Sequence, residues 1–205
     1  FKSACFDFYY KKTLLRINKY HEKYQIKDQS SYINGMKVPS IEKMLSLIDW
    51  DYMSDGQISN FHGDLQFDNV LLKDDGDFLL LDWRQDFSGI VEYGDQYYDL
   101  AKLNGGMQVS YKLIKQGEFS FHANKSGEIV LEHDTPKELL NAREVFKSFL
   151  IDKDLDVNKV EVLTSLIYLN MSPMHHEPFN HFIYNFGKLS LYKALSDQGK
   201  VYGKK

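Results

Sequence analysis

The sequence predicts an α+β fold that is mainly helical and carries a small β-hairpin. Apolar residues recur every three or four positions over long stretches, which is the period of an amphipathic helix. One such stretch opens the chain, from Phe1 to about Tyr24, and others follow one another in its last third. Between these regions lies a short hairpin pattern with Asp, Asn and His side chains around it. The fold class rests on the helical periodicity and on this hairpin.

Several helices have start signals that can be read directly. Ser40 is a typical N-cap for a helix over Ile41–Trp50, and Asp156 for a helix over Val157–Met171. Polar residues 25–39 are predicted to form a loop, and the polar tail 196–205 is predicted to fray. The remaining predicted helices are 94–103, ended by Asn104-Gly105-Gly106, then 107–115, 136–151 and 179–195.

The central hairpin is predicted from two short apolar runs around an Asp-Gly turn. Residues 70–72 and 78–81 are the apolar runs, and Asp75-Gly76 lies between them. Residues 57–61, which lead towards this region, have the character of a short strand. A second hairpin is predicted over 118–133, where apolar and polar residues alternate on both sides of a polar turn.

The central hairpin should bring three oxygen-bearing side chains together. Asn69 follows Asp64 by five positions, and Asp82 ends the second apolar run. Phosphoryl transfer needs such a set, because Mg²⁺ prefers oxygen ligands and the acceptor hydroxyl needs a carboxylate for its proton. In protein kinases a catalytic Asp and a metal-binding Asn have the same five-residue offset. The pattern therefore predicts a phosphotransfer site.

Three sequence blocks in this region resemble a known family. HGDLQFDN (62–69), LLLDWR (79–84) and GDQYYDLAKL (94–103) resemble, in that order, the motifs of the aminoglycoside phosphotransferase and choline kinase-like family. The resemblance covers residues 61–103. It implies a protein-kinase-like fold, of which residues 1–205 would form the C-terminal lobe, and it implies transfer of the γ-phosphate of ATP, or of GTP, to a small-molecule hydroxyl.

The resemblance also implies roles for individual residues. Asp64 would be the catalytic base, and Asn69 and Asp82 would bind Mg²⁺. Asp99 and His62 would support the loop that carries Asp64. Two further residues are candidates for a contact with phosphate or acceptor, namely Arg84 and Asp86.

The nucleotide-binding lobe of this family is not recognisable in the chain. Neither G-x-G-x-x-G nor G-x-x-x-x-G-K-[ST] occurs upstream of Phe61, and such loops normally hold nucleotide phosphates. The N-terminal lobe is therefore expected to be absent from this sequence. The 118–133 hairpin, inserted in helical sequence, would be either a lid that determines acceptor specificity or a plain surface ribbon.

Composition excludes several classes of protein. The net charge of −4 offers no basic surface for nucleic acid, and no apolar run is long enough to predict a membrane span. The single cysteine, Cys5, excludes an internal disulfide and favours a reducing compartment, so a cytoplasmic location is predicted. The sequence does not predict an oligomeric state.

Two other functions remain open from the sequence. A pseudokinase-like binding or scaffold domain would explain the missing phosphate loop, although a scaffold does not need all three oxygen ligands. A hydrolase acting on a phosphate ester could use the same acidic site. The acceptor is also open, and an amino sugar, choline, ethanolamine and a surface-polysaccharide precursor all suit the predicted chemistry.

Overall fold

The computed structural model describes residues 1–199 and confirms a mainly helical α+β fold. The polar tail predicted at 196–205 lies outside the described residues from position 200 onward. A long N-terminal helix consists of α1 (Lys2–Phe6), a π-helical turn (Asp7–Lys11) and α2 (Lys12–Tyr24). The other helices are α3 (Ile41–Leu45), α4 (Trp50–Met53), α5 (Gln96–Gln108), α6 (Tyr111–Lys115), α7 (Lys137–Asp152), α8 (Val157–Met171) and α9 (Phe179–Asp197).

The strands form small sheets around the helices. The largest sheet has the order β2-β1-β8-β7. Its strands β1 and β8 are parallel, and the other two pairs are antiparallel. Two antiparallel pairs stand apart from it, β3 with β6 and β4 with β5. The strands are β1 (Ser31–Ile33), β2 (Met36–Val38), β3 (Ile58–Ser59), β4 (Val70–Leu72), β5 (Phe78–Leu80), β6 (Gly94–Asp95), β7 (Phe119–Ala123) and β8 (Ile129–His133).

Helices α5, α8 and α9 form the centre of the core. Helix α8 starts at the predicted cap, since the Asp156 carboxylate accepts hydrogen bonds from the N–H groups of Asn158 and Lys159. Apolar side chains on both long C-terminal helices are fully buried, among them Leu163, Leu166, Leu169, Phe182, Ile183 and Leu191. Among residues 1–199, none of the helices combines the length and the apolar character needed to cross a bilayer.

The prediction of a loop over residues 25–39 is wrong. The segment contains the β1–β2 hairpin, which turns at Asn34 (φ 47°) and Gly35 (φ 78°). The Asn34 side chain also ties this hairpin to β8, because its amide exchanges two hydrogen bonds of 2.8 Å with the backbone of Leu131. This long-range pairing is what makes such short strands stable.

The predicted helix over Ile41–Trp50 is wrong in its extent. Ser40 does cap its start, but the helix ends at Leu45. The Trp50 indole donates to the Leu45 carbonyl at 3.0 Å, and the Asp49 carboxylate caps the separate helix α4. The Trp50 indole and the Asp49 carboxylate thus form hydrogen bonds with backbone groups at the break between α3 and α4.

The predicted glycine stop at Asn104-Gly105-Gly106 is also wrong, because α5 continues through it to Gln108. The Tyr168 hydroxyl of α8 donates to the Gly105 carbonyl at 2.9 Å. The Asn104 amide donates to the Thr164 hydroxyl at the same distance. These hydrogen bonds of Gly105 and Asn104 with α8 hold the segment in the helix and outweigh the tendency of glycine to end one.

The predicted hairpin over 118–133 is confirmed as a hairpin, and it belongs to the four-stranded sheet. Phe119 packs against Phe179 and Phe182 of α9, with ring centroids 5.6 and 5.3 Å apart. None of the residues 118–133 lines the cavity beside Asp64 that is described below. The hairpin is therefore packed on α9 and does not line that cavity.

Candidate functional site

The loop that carries Asp64, residues 62–69, is held by a carboxylate from α5. The Asp99 carboxylate accepts the N–H of His62 at 2.8 Å on one oxygen and the N–H of Gly63 at 2.7 Å on the other. Asp99 is buried, and burial raises the pKa of its carboxyl group, an effect that the two backbone N–H groups oppose. Its position agrees with the loop-supporting role implied by the resemblance.

Glycine is required at position 63 for two reasons. Gly63 has φ of +78°, and a Cβ there would lie 2.5 Å from Cβ of Arg84. The backbones of the two segments are also close to each other, because the Arg84 N–H donates to the His62 carbonyl at 2.8 Å. The segment after β5 therefore packs directly on the 62–69 loop. A side chain at position 63 would separate the two.

His62 lies inside this loop. Its ring packs against Trp83, with ring centroids 4.8 Å apart, and its Nδ1 lies 3.2 Å from the N–H of Asp64. An Nδ1 that accepts this hydrogen bond leaves the proton on Nε2, and Nε2 is buried without a hydrogen-bond partner among the described residues. His62 thus contacts the backbone that presents Asp64.

Asp64 and Asn69 are in direct contact. A 3₁₀ turn over Phe67–Asn69 brings the Asn69 side chain back towards Asp64. Its Nδ2 donates to the Asp64 carbonyl at 2.9 Å and to carboxylate Oδ2 at 3.2 Å. Since the amide nitrogen is used in this way, the amide oxygen Oδ1 is the group left to bind a further ligand.

Asp82 follows β5 and lies beside Asn69. The N–H of Leu81 donates to the Asn69 carbonyl at 2.9 Å, so the β4–β5 hairpin fixes Asp82 one residue beyond this contact. Asp82 is exposed and has φ of +61°. Its carboxylate forms neither an ion pair nor a hydrogen bond within residues 1–199.

Asn69 and Asp82 carry oxygen donors of the type that Mg²⁺ accepts. Within the described part of the chain, no group of three or more His, Cys, Asp or Glu side chains could hold a metal ion. Mg²⁺ in nucleotide sites usually keeps several waters and takes one or two carboxylates together with substrate phosphates. One amide oxygen from Asn69 and one carboxylate from Asp82 meet that description.

Lys102 is a site residue that the sequence analysis missed. Its Nζ lies 2.6 Å from Oδ1 of Asp64, and its side chain is 10% exposed. It lies one helical turn after Asp99 on α5, so the same helix both braces the loop and contacts the carboxylate. Its position inside the block GDQYYDLAKL is the signal that could have identified it.

A cavity of about 300 Å³ opens beside Asp64. Neither Asn69 nor Asp82 lines it. Its walls come from the N-terminal helix, the 62–69 loop, α5, α6 and the C-terminal end of α8. The lining residues used below are Lys12, Arg16, Asp64, Asp68, Arg84 and Lys102.

The two remaining predicted contact residues have different surroundings. Arg84 lines the cavity, and its guanidinium lies 5.6 Å from the ring of Phe8. Asp86 does not line the cavity, and its carboxylate accepts the N–H of Gly89 at 2.7 Å, which stabilises a turn. The geometry therefore brings Arg84 to the cavity and leaves Asp86 outside its wall.

Two cations of the N-terminal helix were also missed. Lys12 and Arg16 are not among the candidate residues predicted from the sequence, yet both line the cavity. Their spacing of four residues places them on one side of the helix, and this was the available signal. The helix lies far from Asp64 in the sequence, so only the tertiary fold shows that they meet.

No protein-family model, curated protein or solved structure matches this chain. The functional proposal therefore rests on the motifs and on the geometry of the site.

Proposed function

We propose that this chain is the catalytic lobe of a kinase-like phosphotransferase that acts on a small molecule. The observation that carries the proposal is the arrangement around Asp64. One carboxylate oxygen faces Asn69, the other faces Lys102 in a cavity large enough for a small acceptor, and Asp82 follows the adjoining hairpin. This is the set of groups that phosphoryl transfer to a hydroxyl requires.

In the proposed reaction Asp64 orients the acceptor hydroxyl and takes its proton. The hydroxyl oxygen forms a bond to the γ-phosphorus of ATP, or of GTP, as the bond to the leaving nucleoside diphosphate breaks. Asn69 Oδ1 and the Asp82 carboxylate would hold Mg²⁺, which neutralises charge on the transferred and leaving phosphates. Lys102 fixes the direction of the Asp64 carboxylate, and Asp99 fixes the loop.

Exposed apolar side chains on both faces of the β4–β5 hairpin support a nucleotide site beside this hairpin, with the Leu71–Leu79 pair on one face and the Leu72–Phe78 pair on the other. Leu71, Leu72, Phe78 and Leu79 are each about half exposed or more, at 48, 69, 67 and 48%. Contiguous exposed apolar surface commonly marks a binding surface. We propose that the nucleotide base, and the strand-rich lobe that would cover it, bind against one of these two faces in a cytoplasmic enzyme.

The role of Asp64 is tested by phosphotransfer to a panel of hydroxyl acceptors. In the full-length protein, Asp64→Ala should lower turnover by about 10²–10⁴-fold, the usual contribution of a general base. Asp74→Ala is the matched control, because Asp74 is an exposed carboxylate on the nearby hairpin turn. Unchanged turnover in Asp64→Ala would remove the basis of the proposal.

A further inference from the structure

We propose that the cavity beside Asp64 binds an acceptor that carries an anionic group, a phosphate or a carboxylate, next to its reactive hydroxyl. This inference rests on the proposed function and adds the charge class of the substrate. It points away from amino sugars, choline and ethanolamine, which carry positive charge.

The charges of the cavity wall are the first argument. Arg16, Arg84 and Lys102 contribute three cations, Lys12 contributes an amine that is protonated below a pKa of about 7, and Asp64 and Asp68 contribute two carboxylates. Asp68 is also paired with an exposed lysine outside the wall, Lys115, at 3.1 Å. The wall therefore carries more positive than negative charge, although the chain as a whole has a net charge of −4.

The lack of partners for three of these basic groups is the second argument. Within residues 1–199, Lys12, Arg16 and Arg84 form no ion pair with a carboxylate. The Lys12 ammonium lies 3.7 Å from the centroid of the Phe8 ring. The Arg16 guanidinium donates to the Asn170 carbonyl at 3.1 Å. Lys12 and Arg16 are half-buried, whereas Arg84 is exposed. Half-buried cations with neutral partners only are suited to bind an anionic ligand.

The crowding of these cations affects the pKa of Lys12. Burial, together with the charges of Arg84, Arg16 and Lys102, lowers this pKa to about 7, and the charge of Asp86 opposes the shift. An anion placed among these basic groups would relieve this repulsion.

The position of the cavity relative to Asp64 is the third argument. Oδ2 of Asp64 faces Asn69, which belongs to the proposed metal pair, whereas Oδ1 faces Lys102 in the cavity wall. Asp64 thus separates the metal pair from the cavity. A hydroxyl bound on the cavity side can approach Asp64 while the anionic group contacts Lys12 and Arg16. The volume of about 300 Å³ suits a small metabolite.

The inference is tested by calorimetric titration of the full-length protein without nucleotide. The probes are glucose 6-phosphate and glucuronate, with glucose as the neutral and glucosamine as the cationic comparison. We expect both anions to bind at least tenfold more tightly than glucose and glucosamine. The anion that binds with higher affinity shows whether the cavity prefers phosphate or carboxylate.

Variants identify the binding groups. Arg16→Gln and Lys12→Gln should each weaken binding of the anions by about tenfold or more, since each removes a charge-assisted contact. Lys19→Gln, which removes an exposed charge from the same helix, should leave binding unchanged. Thermal unfolding of each variant shows whether weaker binding reflects a lost contact or a smaller fraction of folded protein. Because the two variants change different positions on the helix, each is an independent test of the site.

The outcomes also separate this inference from the proposed function. Anion binding that persists in Asp82→Ala would show that the cations act independently of the proposed metal site. Anion binding without any phosphotransfer would overturn the proposed reaction and leave the binding site in place. Tighter binding of glucosamine, no binding of either anion, or anion binding unchanged in both Arg16→Gln and Lys12→Gln would overturn the inference.

Discussion

At the scale of single residues, the site divides into a part that the sequence predicts and a part that it does not. The contact between Asp64 and Asn69 follows from a five-residue offset within one loop, so a local motif suffices to predict it. Lys12 and Lys102 come from distant helices. Lys102 lies in one of the motif blocks, but nothing in the local sequence specifies that Lys12 lines the same cavity, because its position depends on how the helices pack.

Lys12 gives a residue-scale prediction about pH. Burial, with the nearby Arg84, Arg16 and Lys102, lowers its pKa from 10.5 to about 7. Between these values the unfolded state binds a proton that the folded state does not, so the contribution of Lys12 to stability increases as pH rises. Lys12→Met removes this contribution. The variant should therefore be more stable than the wild type at pH 6.5, and this advantage should become smaller as the pH rises to 9.

Urea denaturation of both proteins at the two pH values checks the prediction. The difference in free energy of unfolding should change by up to about 1.4 kcal/mol per pH unit over part of this range. Lys19→Met is the matched control on the same helix. A difference between Lys12→Met and the wild type that stays constant from pH 6.5 to 9 would contradict the account of Lys12.

At the scale of elements, strong local periodicity is enough to predict α8 and α9, and the Asp-Gly turn is enough to predict β4 and β5. The β1–β2 hairpin was missed because its strands have three residues each and depend on pairing with β8, far along the chain. The continuation of α5 through Gly105 was missed for a similar reason, since the fit against Tyr168 is a tertiary contact.

Asp95 gives an element-scale prediction, because it joins three elements near the site. One of its oxygens accepts the Tyr9 hydroxyl from the N-terminal helix. The other accepts the N–H groups of Gln57 at 2.8 Å and Tyr97 at 3.2 Å. Asp95→Ala would leave two buried donors and one partly buried donor without an acceptor, so we expect it to lower the free energy of unfolding by about 3 kcal/mol or more.

Chemical denaturation measures this loss in free energy of unfolding, and a second helix cap, Asp49, supplies the matched control. Asp49 also caps a helix, at the start of α4, but it is exposed. Asp49→Ala should cost only about 1 kcal/mol. An equal decrease in the free energy of unfolding of Asp95→Ala and Asp49→Ala would show that Asp95 acts only as a helix cap. It would contradict the role of Asp95 in joining three elements.

At the scale of the whole molecule, the core and the candidate site occupy different parts of the fold. Helices α5, α8 and α9 supply most of the buried apolar side chains, and the four-stranded sheet packs on α9. The candidate site lies where α5 meets the N-terminal helix and the β4–β5 hairpin. The sequence predicts the helical class, but it does not predict that the 31–38 and 119–133 hairpins share a sheet, because that pairing joins distant segments.

The central claim is that Asn69 and Asp82 hold a metal–nucleotide complex next to Asp64. Calorimetric titration of Mg·ATP into the full-length protein, compared with Asp82→Ala, tests it most directly. Asp74→Ala controls for the loss of one carboxylate from the same region. The account predicts that the wild type and Asp74→Ala bind Mg·ATP with similar affinity and that Asp82→Ala loses binding. Equal binding in all three proteins, or none in the wild type, would contradict it.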